Sequence, residues 1–345
     1  MSGGHSIIEA YGVKKAFGST VALAGVDLEV QAGTVLALLG RNGAGKTTFV
    51  RILSTLLSPD AGRIHVGGVD VVDDAKTVRS LIGLAGQFAA VDETLSGREN
   101  LVLVGRLYGL PRREAQARAA EVLERLGLTD AGDRLVRTYS GGMRRRLDLG
   151  ASLVGRPVVL IMDEPSTGLD PRSRLELWSL IDDFTKAGTT LLLTTQYLEE
   201  ADRLADRVAV IERGRMIASG TPDELKQRIG GDVLEVTALR AHDVDRLVSL
   251  LTGLGSGQPV ADLRSQRVTL ATAERVQTLL AAARRIEESG IAVADLGVRR
   301  PSLDDVFLTL TDSLALAPKP EPRLRPVNGE PSLERAVNST RRAGS

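Results

Sequence analysis

The sequence lacks cysteine altogether, and its charges of opposite sign cancel. Without cysteine there can be no disulfide, no thiolate metal ligand and no cysteine nucleophile, and the composition fits a reducing compartment. Lysine and arginine together number 44, as do aspartate and glutamate. Because the global charge is balanced, it does not indicate binding to nucleic acid.

Long apolar runs and a secretory leader are also missing. No stretch of the sequence approaches the roughly 18 consecutive apolar residues that indicate a membrane-spanning helix. Residues 1–6 lack the basic segment followed by an apolar run that begins a secretory signal. Any role at a membrane is therefore expected to depend on a partner chain.

Domains have roughly 150 residues on average, so a chain of 345 residues is expected to contain two domains and an additional segment. Residues 1–230 combine short predicted strands over 7–35 with later strand–helix alternation, which is typical of an α/β domain. Residues 231–312 mix strand-like and helical spacing and predict a small α+β domain. Five of the 13 prolines fall within 313–345, and this composition predicts a disordered tail.

A mostly helical stretch over 97–155 is rich in arginine. Its arginines include Arg112, Arg113, Arg118, Arg125, Arg134 and Arg137. A solvated helical face would explain most of these charges, since charge runs on helices usually face water. A docking surface for a partner protein is the alternative.

A glycine-rich segment follows the apolar run Val35–Leu39. Residues Gly40–Thr47, which we call the phosphate-binding loop, match G-x-x-x-x-G-K-[ST]. Glycines let consecutive N–H groups turn toward one anion, and a helix predicted from about Lys46 to Leu57 points its positive end there. Lys46 would reach the β- and γ-phosphates of ATP, and Thr47 would ligate Mg²⁺. The candidate ATP-binding residues here are Gly40, Asn42, Gly43, Gly45, Lys46, Thr47 and Thr48.

A second apolar run, Val158–Met162, ends in two carboxylates, Asp163 and Glu164. Ligands of α/β sheets bind beyond the carboxyl ends of the strands, so both side chains are expected near the phosphates. Asp163 would hold Mg²⁺, and Glu164 would polarise an attacking water as general base. An acidic pair at a strand end can also be a solvated cap, but its place after a phosphate-binding loop favours catalysis.

The segment Ser140-Gly141-Gly142, which we call the signature segment, lies between these two motifs. Ser140 can cap a helix, and two glycines in the first turn would let a phosphate bound to another subunit approach closely. An ordinary capped helix is the alternative. The position between the other motifs favours a site that a second copy of the chain completes.

Together the three motifs resemble the nucleotide-binding subunits of ABC transporters, and the resemblance covers residues 7–230. That family implies a P-loop NTPase fold of α/β class with a helical subdomain at about 97–155, and ATP hydrolysis with Mg²⁺. The C-terminal α+β domain follows it.

The same resemblance implies roles for three residues outside the motifs. Phe17 would stack on adenine. The alternative is that Phe17 is an ordinary buried aromatic residue, and Tyr11 is a less well placed candidate for the stacking role. Gln87 would contact Mg²⁺ and water and link the site to the membrane subunit. Asp170 would cross the dimer interface.

Two positions depart from the general ABC pattern. Met143 replaces the glutamine that usually follows Ser-Gly-Gly, and Gln196 replaces the switch histidine. An amide can donate a hydrogen bond to the γ-phosphate but cannot carry a proton as an imidazole can. Together with the late segment Arg299–Leu308, these two departures make the chain similar to the daunorubicin/doxorubicin-resistance ATP-binding subunits. This closer resemblance covers residues 7–312.

This closer resemblance implies an ATP-driven exporter of a drug or antibiotic. Two copies would form a homodimer around two ATP molecules, and a separate integral membrane permease would carry the drug-like substrate, with this chain on the cytoplasmic face. The C-terminal domain would stabilise or regulate the dimer, or be an inert packing domain. A soluble ABC-type ATPase acting on ribosomes or DNA is the alternative function. A third hypothesis is a P-loop kinase, which would not need the signature segment.

Overall fold

A computed structural model describes residues 5–86, 91–227 and 231–307. Its strands are β1 (Ser6–Phe17), β2 (Thr20–Gln31), β3 (Val35–Leu39), β4 (Ala61–Val66), β5 (Val69–Asp70), β6 (Ile82–Ala85), β7 (Val159–Asp163), β8 (Thr190–Thr195), β9 (Arg207–Glu212), β10 (Arg215–Gly220), β11 (Asp232–Ala238), β12 (Val260–Asp262), β13 (Arg267–Thr272) and β14 (Val293–Arg299). The candidate Gln87 and the predicted tail 313–345 lie outside the described residues.

The α-helices lie between and after these strands. They are α1 (Lys46–Leu53), α2 (Ala75–Leu81), α3 (Gly97–Leu107), α4 (Arg112–Arg125), α5 (Gly141–Leu153), α6 (Pro171–Lys186), α7 (Leu198–Leu204), α8 (Pro222–Gln227), α9 (Val244–Leu251) and α10 (Arg275–Ser289). Short 3-10 helices lie at Thr129–Ala131, Val136–Thr138 and Ala241–Asp243, and one further helical turn spans 303–307. Across the described ranges, no helix combines the length and apolar character needed to cross a bilayer.

The central sheet has six strands in the order β10-β9-β3-β8-β7-β6. All neighbouring pairs are parallel except β9 and β10. Every residue of β3, β7 and β8 is buried, because both faces of a parallel sheet are covered; the three strands are mostly apolar, with polar residues near the ends of β7 and β8. The carboxyl ends of these three strands therefore meet at one edge, as the predicted P-loop α/β fold requires.

A second, antiparallel sheet has the order β2-β1-β4-β5. The prediction of short strands over 7–35 is wrong: β1 and β2 are 12 residues long each. Gly12 and Gly25 have φ values of 59° and 100° and lie at register shifts between the two strands. The glycines bend the strands through bulges and do not end them. Helix α1 fills the space between this sheet and the central sheet with Phe49, Ile52 and Leu53.

Helices α3, α4 and α5 form the helical part predicted over 97–155. Ser96 and Glu99 form a capping box that starts α3. Leu101, Ala119 and Leu147 are fully buried in the core that the three helices share with the central sheet. The helical subdomain thus rests on apolar contacts among its helices and with the central sheet.

The arginines of this part do not all lie on a solvated face. Arg112, Arg113, Arg125, Arg134 and Arg137 are exposed, as that interpretation expects. Arg118 is instead buried, donates a 2.7 Å hydrogen bond to the carbonyl oxygen of Leu153 and pairs with Glu121. It ties α4 to the end of α5, because a buried guanidinium must satisfy its donors inside the protein.

The third sheet is antiparallel, with the order β12-β13-β11-β14. Helices α9 and α10 pack on it through a core that includes Leu234, Leu247, Leu270 and Ala282. This arrangement confirms the predicted small α+β unit after the larger α/β part.

The chain then returns to the larger part. Leu303 and Val306 are buried against Val208 and Val210 of β9. Ser302 donates its N–H to Asp305 at 2.7 Å and so caps the helical turn. Two further contacts hold this turn, since Arg299 binds Asp305 through two hydrogen bonds of 2.7 and 3.0 Å. Hydrogen bonding to Asp305 raises the pKa of Arg299.

Candidate functional site

The phosphate-binding loop joins β3 to α1 at the carboxyl edge of the central sheet. Gly45 is the residue before α1 and has a φ of 112°. A Cβ at Gly45 would lie 2.6 Å from the carbonyl oxygen of Ala22, so a larger residue does not fit there. Gly43 also has a positive φ, 82°. These two glycines allow the tight loop that turns backbone N–H groups toward one point.

Lys46 connects this loop to the acidic end of β7. Its side chain is only 4% exposed. The Nζ atom donates to the carbonyl oxygen of Gly40 at 2.7 Å and lies 3.2 Å from Oε1 of Glu164. The structure thus brings together the predicted phosphate ligand and the predicted general base, which are far apart in sequence.

Asp163 and Thr47, two of the residues predicted to hold Mg²⁺, lie close together. Thr47 Oγ1 is 3.5 Å from Oδ1 of the buried Asp163, and Thr194 donates a short hydrogen bond to the same oxygen. The described residues contain no group of three or more His, Cys, Asp or Glu side chains that would hold a metal alone. One hydroxyl and one carboxylate fit Mg²⁺, which takes its remaining ligands from water and phosphate.

Glu164 has an unusual backbone conformation. Its φ is 50°, a left-handed value that costs a non-glycine residue about 1–3 kcal/mol. Its N–H donates to both the carbonyl oxygen and Oγ1 of Thr194, each at 3.1 Å. Such strain is common where a side chain must face a ligand, and here it directs the carboxylate toward Lys46. Sequence reasoning did not identify Thr194, which supports both Asp163 and Glu164.

Gln196 follows β8 and faces the phosphate-binding loop. It lines a cavity of about 360 Å³ together with Gly40, Arg41 and Asn42. Phe307, from the turn at 303–307, lines the same cavity. No signal in the sequence indicated that Phe307 would reach this site.

The signature segment begins α5 in the predicted way. Ser140 is the N-cap and accepts a 3.2 Å hydrogen bond from the N–H of Met143. Ser140 and Gly141 are exposed, and a Cβ placed on Gly141 would meet no described atom within 4 Å. The first turn of α5 carries no acidic residue, which leaves its positive end open to an anion.

Asp170 lies beside the signature segment. It is the N-cap of α6 and accepts hydrogen bonds from both the N–H and the hydroxyl of Ser173. Hydrogen bonding from Ser173 lowers the pKa of the Asp170 carboxyl. A Cβ at Gly142 would lie 3.1 Å from Ser173 Oγ, so the two helix starts are adjacent.

The two aromatic residues that are candidates for stacking on adenine lie in different parts of the structure. Phe17, at the end of β1, is 51% exposed, with Lys15 Nζ 5.8 Å from its ring centre. The buried-aromatic alternative for Phe17 is therefore wrong. Tyr11 lines a separate groove with Asp27 and Glu29. An exposed ring with a cation beside it suits base stacking better than a ring in an acidic groove.

Two family models match the chain. Residues 23–167 match the ABC transporter model, and residues 220–311 match the model of the ATP-binding protein DrrA1-3-like, C-terminal domain. The matches therefore include both the larger part and the C-terminal part.

Similar proteins agree with the family that these models indicate. The chain is 54% identical over 304 residues to the daunorubicin resistance ATP-binding protein DrrA2 of Streptomyces coeruleorubidus, covering 88% of this chain and 94% of the relative. It is 50% identical to the doxorubicin resistance ATP-binding protein DrrA of Mycobacterium tuberculosis, covering 87% and 92%. Among solved structures, CbiO1 of Clostridium perfringens, part of the ABC transporter complex CbiONQ, has a TM-score of 0.60 at 28% identity, covering 65% of this chain and 93% of its own.

Proposed function

Because the chain belongs to the ATP-binding proteins of ABC transporters, in the daunorubicin/doxorubicin-resistance group, it is an ATPase, and we propose that it powers the export of a drug or antibiotic. The observation that carries the site assignment is the meeting of Lys46, Asp163, Glu164 and Gln196 around one end of the phosphate-binding loop. The drug assignment rests on the relatives, two of which are named for resistance to daunorubicin or doxorubicin.

In the proposed reaction, N–H groups of the phosphate-binding loop hold the phosphates. Lys46 exchanges its contact with Glu164 for the β- and γ-phosphate oxygens, and the Glu164 carboxylate then accepts a proton from the attacking water. The oxygen of that water bonds to the γ-phosphorus while the bond to the β-phosphate oxygen breaks, giving ADP and phosphate. Gln196 donates an amide hydrogen bond to the γ-phosphate.

Thr47 and Asp163 would hold Mg²⁺, which neutralises charge on the β- and γ-phosphates when it is bound. Thr194 orients Asp163 by its hydrogen bond to the carboxylate. The predicted contribution of Gln87 to the same ion remains a proposal, since that residue lies outside the described ones.

The proposed homodimer places each ATP between the phosphate-binding loop of one chain and the signature segment of the other. Two observations support it: Ser140 and Gly141 are exposed, and the first turn of α5 lacks acidic side chains. A helix start of this kind attracts a γ-phosphate through its backbone N–H groups. Asp170 lies close enough to the signature segment to take part in the same interface.

The proposed permease would dock at an apolar groove beside the helical part, on the cytoplasmic face of the membrane. The groove has a volume of about 460 Å³ and lies between α2, β6 and the end of α3. Leu107 is 79% exposed there, and Leu56 and Tyr108 are also exposed. Large apolar side chains that share one exposed groove are typical of a protein–protein contact. The names of the resistance relatives do not favour the ribosome or DNA alternative.

Export can be tested in cells that express the chain with its permease. Cells loaded with doxorubicin should lose the drug faster than cells that express the permease with the Lys46→Ala variant, which cannot use ATP. Equal retention in both strains, with both chains present in the membrane fraction, would contradict export of this drug class.

A further inference from the structure

Arg145 lies on α5, just after the signature segment, and its guanidinium reaches two other parts of the fold. Its side chain is 17% exposed. Nε donates to the carbonyl oxygen of Pro165 and Nη1 donates to that of Gly86, each at 2.8 Å. Nη2 lies 3.5 Å from the carbonyl oxygen of Glu164. A single side chain therefore bridges the helix to the segments that follow β6 and β7.

The neighbouring arginines on α5 have other partners. Arg144 pairs with the exposed Glu93 at 2.6 Å, and Arg146 donates to the carbonyl oxygen of Leu126 at 3.3 Å. Neither makes the contacts of Arg145 with the segment that follows Asp163. The three consecutive arginines thus have different roles, and the helix face decides which of them reaches the acidic strand end.

Arg145 is held in place by charge as well as by hydrogen bonds. Burial lowers the pKa of its guanidinium, and Asp148, Glu200 and Asp163 oppose that shift. Asp148 is itself buried and lies 3.5 Å from Nη1. A guanidinium keeps its charge even when buried, and its planar fork fixes several acceptors at once, which an ammonium group cannot do.

These contacts bear on the strained residue Glu164. Its N–H is held by Thr194, and Arg145 holds the carbonyl oxygens of Glu164 and of the next residue, Pro165. The left-handed backbone at Glu164 is therefore fixed on both sides by groups from different elements. Loss of either support would let the backbone relax and turn the carboxylate away from Lys46.

We propose that Arg145 is a positioning residue that keeps Glu164 in the conformation needed for hydrolysis. The proposal rests on the proposed role of Glu164 as general base. Among the described residues, the contacts of Arg145 with the catalytic strand end are those with the carbonyl oxygens of Glu164 and Pro165, and the proposal assigns its effect to Glu164. Arg145 should therefore affect the rate of hydrolysis and leave the affinity for ATP nearly unchanged.

The test compares Arg145→Met with Arg144→Met in the full-length chain. Methionine keeps much of the volume of the arginine side chain and removes every hydrogen-bond donor. Arg144→Met makes the same change one residue away and is the matched control. Arg145→Met is expected to lower kcat at least tenfold while the Kd of ATP changes less than twofold. Arg144→Met is expected to change both by less than twofold. If Arg145→Met raises the Kd of ATP and lowers both kcat and the thermal midpoint of unfolding, its role is general stability and the proposal fails.

Arg145→Lys provides a variant that keeps charge and one donor, and it should recover part of the lost kcat. A double-mutant cycle with Glu164→Gln then separates the two proposals. In the Glu164→Gln background, Arg145→Met should change the residual rate less than twofold, because its target is already disabled. An undiminished further loss would overturn the positioning role. If Glu164→Gln alone leaves hydrolysis at the normal rate, the general-base assignment fails first.

Discussion

The phosphate-binding loop and the signature segment are both built from glycines before a helix, yet their surroundings differ. Around the loop, Lys46 and Asp163 are buried. Lys46 donates to the carbonyl oxygen of Gly40 within the loop, and Thr194 of β8 donates to Asp163. Around the signature segment, Ser140 and Gly141 face solvent. This difference fits the proposal that one chain holds the catalytic groups in place, whereas the signature segment binds a phosphate brought by a second chain.

This contrast has an energetic side. Charges in the buried site interact at low dielectric, so each interaction is stronger than it would be in water. Removing one charge leaves its partner buried and uncompensated, which is costly in free energy. The exposed signature segment contributes through backbone N–H groups and a helix dipole, which are weaker and need a partner nearby. Changes at the two regions should therefore differ both in size and in which step of the cycle they affect.

The largest effect is expected from Lys46→Ala. The change removes the buried cation that binds Glu164 now and the phosphates in the proposed reaction, so ATP affinity should fall and turnover should drop by at least about 10³-fold. Nucleotide binding and phosphate release would be measured on the purified chain. Lys186→Ala, at the exposed end of α6, is the matched control and should behave like the parent.

Glu164→Gln should slow hydrolysis by roughly 10²- to 10³-fold and leave ATP binding intact. Since ATP then persists between the two surfaces, the chain should accumulate as a dimer whose mass light scattering can measure. Glu176→Gln, exposed on α6, serves as control. Normal turnover by the Glu164 variant would remove it as the base, and a monomer with bound ATP would break the proposed link between the two regions.

Gly141→Asp tests the signature segment by itself. A Cβ at this position meets no described atom within 4 Å, so folding should be unaffected, whereas the new carboxylate would repel the phosphate of a second chain. We expect about a hundredfold loss of hydrolysis and loss of the dimer, with ATP affinity of the single chain changed less than twofold. Gly257→Asp, also placed in open space, is the control. Lost ATP binding by the monomer would contradict the division between the regions.

The smallest effect is expected from Gln196→Ala, which should slow hydrolysis about tenfold by removing one amide donor to the γ-phosphate. Gln196→His should be tolerated because imidazole can also donate. The measurement is kcat at saturating ATP. Turnover of the alanine variant at the parental rate would show that Gln196 does not sense the γ-phosphate.

Features that depend on nearby residues could be predicted from the sequence. The apolar run before the phosphate-binding loop is β3, and the pair Thr221 and Glu224 caps α8 through hydrogen bonds of 2.9 and 3.1 Å. Serine at position 140 starts α5 as expected. Capping and strand burial succeed as signals because the partners lie within a few residues of each other.

Features that depend on the whole sheet could not be predicted in the same way. The sequence suggested short strands before residue 35, but Gly12 and Gly25 are accommodated as bulges within β1 and β2. It suggested a solvated arginine face, but Arg118 is buried against the end of α5. In both cases a residue with an ordinary local preference has a tertiary partner that overrides it.

The sequence by itself determined the three motifs, the family and the residue types that we propose to bind ATP. Only the tertiary structure decided that Lys46 lies 3.2 Å from Glu164, that Phe307 shares a cavity with Gln196, and that Arg145 reaches the backbone beside Glu164. The physical reason is strand order: β8 lies between β3 and β7, although it follows both in the chain. Such an order arises from packing across the whole sheet, and no local spacing of apolar or charged residues encodes it.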